Sequence, residues 1–305
     1  MKILFATDGS AHAQFAEKLL ARMRGVRGDL HVLSVSSPVP VLGLAAPPVL
    51  APTYPEESLD LWKQLQEHAE NVAREAAGRL AHAGFNVRHS APDGDIGGTI
   101  LDTIEADRTE LVVVGSRGEN ALEALVLGSV ARKLVSHAPC SVLVARPYAA
   151  MTPEESGAQL EAKAGLVGVV GVDDTPGSHK AIEWLSENGG DTFAEIATLC
   201  AEPPPVVPPG IMPSMLAMEV SRERVNADSI ARKAAEALAG ITPKTTPYQA
   251  HGHGAFELIK NAKEVAADLV IVGATRHGLI ERFLIGSVSY EVATHAPCSV
   301  LVVRP

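Results

Sequence analysis

Apolar residues in this chain fall in short blocks set between amphipathic stretches, the rhythm of buried strands alternating with helices. Lys2 to Thr7 is the first block, and Ser10 stands where a helix running to about Met23 needs its cap. A second block, Leu30 to Ser36, leads into the Pro-rich stretch 38–55. From about Glu57 to His82, the residues Leu59, Trp62, Leu65, His68, Ala69 and Val72 recur at helical spacing. Asn86 to Ala91 reads as a strand, Gly97 to Ala106 as a helix and Leu111 to Val114 as a fourth strand. Ser129 opens a helix to about His137, and Ser141 to Ala145 is the fifth strand.

The whole order then repeats. The octapeptide from His137 to Val144 recurs unchanged from His295 to Val302, an offset of 295 − 137 = 158. The same offset carries Gly115 onto Gly273, Gly128 onto Gly286 and Ser129 onto Ser287, while Asp8 matches Asp173. The second copy has its own Pro-rich stretch, 203–213, again after its second strand. Strands alternating with helices predict parallel pairing with right-handed crossovers. The expected fold is therefore α/β: two repeated five-stranded parallel-sheet domains, Rossmann-like, with helices on both faces. Residues 1–147 and 165–305 are the expected domains. Residues 148–164 are a polar connector without chemistry, with a helical turn at Glu154 to Lys163.

Composition narrows the partners. At 305 residues and 46% hydrophobic content, the chain is long enough for two sizeable cores. A formal charge of −10 and only 4% aromatic residues argue against nucleic acid as a partner. No run approaches the ~18 apolar residues of a membrane span. The N-terminus reaches Asp8 too soon for a secretory signal, and three cysteines without a Cys-x-x-Cys pair suit a reducing compartment. A cytoplasmic location, free of membrane, is expected.

The chemistry gathers at strand ends. Gly115-x2-Gly118-x9-Gly128-Ser129 follows a buried strand and opens a helix. Glycines let backbone N–H groups close on an anion, and a helix start adds partial positive charge. In parallel sheets ligands sit beyond the carboxyl ends of the strands, where Asp8 and Gly115 both belong. Asp8 and Asp173 are alternatively plain helix-start acids; Asp174 and Ser10 read as caps. Arg117 and Arg132 are within sequence reach of a phosphate. His251-Gly252-His253-Gly254 has no cysteine or carboxylate at ligand spacing and reads as a turn, so no metal is assigned. His137 and His295 close helices. Cys140 and Cys298 read as core residues, and Cys200, placed at the position equivalent to Val35, as packing. The Pro-rich stretches 38–55 and 203–213 are either lids or interfaces, or else disordered. No Ser–His–Asp pattern, matched cysteine nucleophile or Walker lysine stands out, and no catalytic residue is assigned.

The Ala6-Thr7-Asp8-Gly9-Ser10 start, the glycine loop and the Pro139-Cys140-Ser141-Val142-Leu143-Val144 ending resemble the universal stress protein family, in its tandem two-domain form. The resemblance implies adenine nucleotide binding, with ATP and its Mg as the cofactor. By position, Asp8, with Ala6 and Thr7 beside it, meets ribose or adenine, and Val35 packs on adenine. Val114, Gly115, Arg117, Gly118, Gly128, Ser129 and Val130 line the ribose and phosphates. In the second copy the matching positions are Asp173, Gly273, Gly286, Ser287 and Val288. The resemblance also implies pairing of fifth strands, here as an intramolecular pseudo-dimer, with a homodimer as a further form. The second copy departs at two places: Gly118 becomes Arg276, near a new Gly278, and Asp95 becomes His253. If Gly118 takes positive φ, arginine at its equivalent costs ~1–2 kcal/mol. The first copy is thus the expected ATP site in a stress-response regulator. The alternatives are a nucleotide-free interaction scaffold and a slow adenine-nucleotide hydrolase or autophosphorylating protein.

Overall fold

The computed structural model describes residues 1–37, 56–118, 127–202, 213–274 and 285–304. The Pro-rich stretch 38–55 and residues 203–212 of the second one lie outside them, as do Arg276 and Gly278. The amino-terminal half runs β1 (Lys2–Ala6), α1 (Ala11–Arg22), β2 (Asp29–Leu33), α2 (Glu56–His82), β3 (Asn86–Ser90), α3 (Ile96–Asp107), β4 (Leu111–Gly115), α4 (Ser129–His137) and β5 (Ser141–Ala145). Helix α5 (Pro153–Ala162) then joins it to β6 (Leu166–Gly171), α6 (Pro176–Asn188), β7 (Phe193–Glu202), α7 (Pro213–Leu238), β8 (Thr245–His251), α8 (Gly254–Glu264), β9 (Leu269–Gly273), α9 (Ser287–His295) and β10 (Ser299–Val303).

All ten strands form one sheet in the order β3-β2-β1-β4-β5-β10-β9-β6-β7-β8. Pairing is parallel within each half. At the centre β5 and β10 run antiparallel, Leu143 opposite Leu301. The carboxyl ends of the two halves' strands therefore point to opposite edges of the sheet. Both faces are covered, which is why the central strands are apolar on both sides. One core layer lies under α1, α2, α5, α6 and α7, and includes Phe15, Leu19, Leu80, Leu160 and Leu185. The other lies under α3, α4, α8 and α9, and includes Ile100, Ile104, Leu134, Leu258 and Val292.

Local chemistry accounts for most boundaries. Ser10 Oγ accepts from Ala13 N at 3.3 Å and starts α1 as its sequence predicts. His137 and His295 end α4 and α9, their Nδ1 atoms 3.0 and 3.1 Å from the carbonyls of Lys133 and Glu291. The second strand stops at Leu33 rather than Ser36; Ser36 makes only an isolated bridge to Asp93. Helix α6 is capped by Thr175, not Asp174: Thr175 Oγ1 accepts from Ser178 N. Cys140 and Cys298 sit in one core layer and Cys200 in the other; burial pushes the Cys140 and Cys298 thiols up to about 12 and Cys200 to about 11.

The connector is more than a turn. Thr152 and Glu155 form a reciprocal capping box behind Pro153, and ten residues become helical. Leu160 is fully buried in the core that α1 also enters. Lys18 pairs with Glu161 at 3.0 Å, and the Phe15 and Tyr148 rings meet edge to face at 6.2 Å. Buried Asp268, ahead of β9, then gathers Tyr148 Oη, Lys163 Nζ at 2.5 Å and Val167 N at 2.8 Å. Two arginines bind the halves reciprocally. Arg146, after β5, donates to the carbonyls of Ala293, Thr294 and Ala296 at the end of α9, and Arg304, after β10, donates to Val135 O near the end of α4. Each guanidinium thus meets the negative end of the other half's helix.

Candidate functional site

The carboxyl ends of β1, β2 and β4 and the start of α4 surround a cavity of about 440 Å³. Every residue expected of the first copy's site borders it: Ala6, Thr7 and Asp8 beyond β1, Val35 beyond β2, Val114, Gly115, Arg117 and Gly118 along and after β4, and Gly128, Ser129 and Val130 at α4. Gly9, in the left-handed region at φ +77°, turns the chain away so that Asp8 stays at the rim. Asp8 Oδ1 accepts from Ser10 N at 3.1 Å.

Space, rather than backbone conformation, makes this loop need small residues. Gly118 does not take positive φ, so the expected strain argument for arginine at its equivalent fails. A Cβ on Gly118 would instead stand 2.5 Å from Asp8 Oδ2, and one on Gly128 would stand 3.2 Å from Ser116 O. Gly128 N donates to Ser116 O at 2.8 Å, folding the loop back onto α4. Gly128 is the cap residue of α4 and provides no side-chain acceptor, so no cap bond fills the first turn that borders the cavity. Arg117 lies near enough to His12 that its charge, after burial, holds the imidazole below its ordinary pKa. Arg132 turns elsewhere, donating to Leu127 O at 3.3 Å, and does not line the cavity.

Sequence reasoning missed the apolar wall. Leu33, Ile96 and Ile100 border the cavity with Val35, and Ala13 and Ala131 close its floor. Leu33 and Val35 share a face by strand alternation, and Ile96 and Ile100 by helical spacing, so both signals were present. Besides this apolar wall, the lining has Gly115, Gly118 and Gly128 with the polar Thr7, Asp8, Arg117 and Ser129. Such a cavity can take a flat apolar ring at one end and an anion at the other. The cradle a Cβ would fill, and the uncapped helix start, fit a nucleotide.

The second half repeats this at the opposite sheet edge, with a cavity of about 380 Å³ bordered by Asp173, Gly273, Gly286, Ser287 and Val288. Three details differ. Asp173 Oδ1 accepts from both Thr175 N and Thr175 Oγ1, at 3.0 and 2.5 Å. Leu199 and Ala201 border this cavity in the places of Leu33 and Val35, so Cys200 corresponds to Ser34 and not to Val35. At the rim, Asp95 caps α3 and pairs with Lys133 at 2.8 Å in the first half. The second half has His253 at the start of α8, 3.6 Å from Glu291, so a carboxylate stands in the place of Lys133. His251 faces Glu202 at 3.5 Å, and among the described residues no three potential ligands gather for a metal ion.

Fold and site together define a tandem α/β protein with a small-residue cradle at the strand ends of each half. The family model described as the universal stress protein family matches residues 1–146 and 169–304, and the chain belongs to that family. A universal stress protein of Mycolicibacterium smegmatis is 26% identical over 314 residues, covering 99% of this chain and 97% of the relative. A Thermus aquaticus universal stress protein is 35% identical over 148 residues, 47% of this chain and 97% of the relative. Among solved structures, a universal stress protein from Archaeoglobus fulgidus shares the fold with a TM-score of 0.61 at 18% identity, covering 99% of this chain and 98% of that one. No helix among the described residues is long and apolar enough to cross a membrane.

Proposed function

We propose that this chain binds ATP in the cavity of its amino-terminal half and serves as a nucleotide-responsive regulator in a stress response, without dedicated turnover. One observation carries the reading: an apolar wall and an uncapped, glycine-lined helix start border one cavity of about 440 Å³. The wall from Leu33 and Val35 to Ile96 and Ile100 suits an adenine ring, and the N–H groups opening α4 suit phosphates. Asp8, at the rim, suits a ribose hydroxyl. Magnesium would enter as the counter-ion of the phosphates.

The second cavity is the weaker site on this reading. Glu291 stands where Lys133 stands, removing a cation from the rim, and Arg276 replaces Gly118 in sequence. Residues 1–147 and 165–305 act as the two units and 148–164 as their joint, with the two fifth strands forming a pseudo-dimer in a cytoplasmic protein.

Calorimetry with ATP tests the assignment. The native chain is expected to show one dominant site. Gly118→Ala should weaken it at least about tenfold, because the new methyl meets Asp8 Oδ2, while thermal unfolding stays unchanged. Two equal sites would refute the ranking. No binding, with the chain folded, would refute the function and leave the nucleotide-free scaffold.

A further inference from the structure

Beside the first cavity, but lining neither cavity, three side chains distant in sequence meet on the face of the amino-terminal half covered by α3. His31, on β2, is 6% exposed. Its Nδ1 lies 2.7 Å from Asp107 Oδ2 and its Nε2 lies 2.7 Å from Ser90 Oγ. A carboxylate can only accept, so the proton resides on Nδ1 and Nε2 presents a lone pair to the Ser90 hydroxyl. Arg88, two residues before Ser90 and paired with His31 across the strands, also donates to Asp107; against burial, the hydrogen bonds from His31 and Arg88 together hold that carboxyl below its ordinary pKa. Burial keeps the imidazole below its ordinary pKa, hence neutral and basic at neutral pH. Nucleophile, base and orienting carboxylate stand in the order and at the distances of an activated serine. Nothing but the fold joins them: 59 residues separate Ser90 from His31, and 76 separate His31 from Asp107.

We propose that Ser90 is an activated nucleophile that captures acyl groups from activated esters, a modification site distinct from the nucleotide cavity. Ser90 ends β3, the outermost strand of the sheet, and is half-buried, so the acyl carbon approaches from the sheet's edge. Ser90 Oγ bonds to the carbonyl carbon and its proton passes to His31 Nε2. The ester C–O bond breaks, and the departing oxygen takes that proton. The product is an ester on Ser90 and a free alcohol or phenol, with no other reactant. Ser90 pairs with Leu33 as the last rung of a regular ladder rather than standing on a sharp exposed turn, which favours single capture over repeated turnover.

The full chain treated with p-nitrophenyl acetate tests this. The expected result is a burst of one equivalent of nitrophenol, with one acetyl group mapped to Ser90 by peptide mass. The burst should vanish in Ser90→Ala with thermal unfolding unchanged, and slow roughly 100-fold in His31→Asn and Asp107→Asn. In the native chain its rate should fall as pH drops through the titration of His31, whose charged neighbours are Asp107 on α3 and Arg88 and His89 on β3, with Lys2 Nζ donating to Asp107 O. An acetyl group on another residue, or an undiminished rate in a folded His31→Asn, would overturn the proposal. Should the variants fail to fold, a native burst rate that stays constant as pH is lowered from neutrality to the onset of acid unfolding would overturn it too.

Discussion

A methyl group on Gly273 would stand 1.9 Å from Gly177 O and 2.1 Å from its carbon, whereas one on Gly115 would meet the His12 backbone at 3.1 Å. The two glycines are equivalent in sequence and differ in what they allow. Gly273 lets the start of α6 rest directly on β9, so its first role is packing. Gly273→Ala is expected to destabilise by about 2–4 kcal/mol and Gly115→Ala by about 1 kcal/mol or less, read from urea midpoints. His31 supplies a second expectation. The fold lowers its pKa from 6.5, so the unfolded chain takes up its proton first as pH falls. Its share of stability is complete above pH 6.5 and is lost below it, at up to about 1.4 kcal/mol per pH unit. Unfolding free energies at pH 7.5, 6.5 and 5.5 should fall in that order, and His31→Asn should flatten the slope.

Among the elements, α5 shows what local sequence carries and what it does not. Thr152-Pro153-Glu154-Glu155 holds a complete start signal, yet the chain reads there as a polar connector. The missing information is the partner: Leu160 is buried in a core that α1 and other elements distant in sequence supply. Leu160→Ala is expected to cost about 2–5 kcal/mol and Thr152→Ala about 1 kcal/mol by thermal or urea unfolding. By contrast α1, α4 and the fifth strands were readable, since the Ser10 cap, the Gly128 that precedes α4 and Pro139-Cys140 mark their boundaries locally. The glycine cradle was readable for the same reason: its residues are close in sequence and small for local cause. The Cys200 alignment slipped because the repeat offset changes along the chain, from 165 at Asp8 and Asp173 to 158 at Gly115 and Gly273. Ser90, His31 and Asp107 were invisible because three separate elements bring them together.

At the scale of the whole molecule, the seam between β5 and β10 makes two similar halves one sheet. Ser141–Ala145 and Ser299–Val303 are wholly buried on both strands, and each half supplies an arginine to the other's helix end. A chain cut to residues 1–147 would leave β5 as an uncovered apolar edge with unpaired backbone groups. That fragment is expected to pair with itself through β5, giving about twice the fragment mass in analytical ultracentrifugation, while the full chain buries the same edge internally.

Because the central strands run head to tail, the mouths of the two cavities open in opposite directions, one at each rim of the sheet. A bifunctional ligand carrying an adenine group at either end of a short tether could not close a ring on one molecule. Any such compound able to enter both mouths would join one chain to the next, and the protein's valence would be that of a link in a string rather than of a clamp.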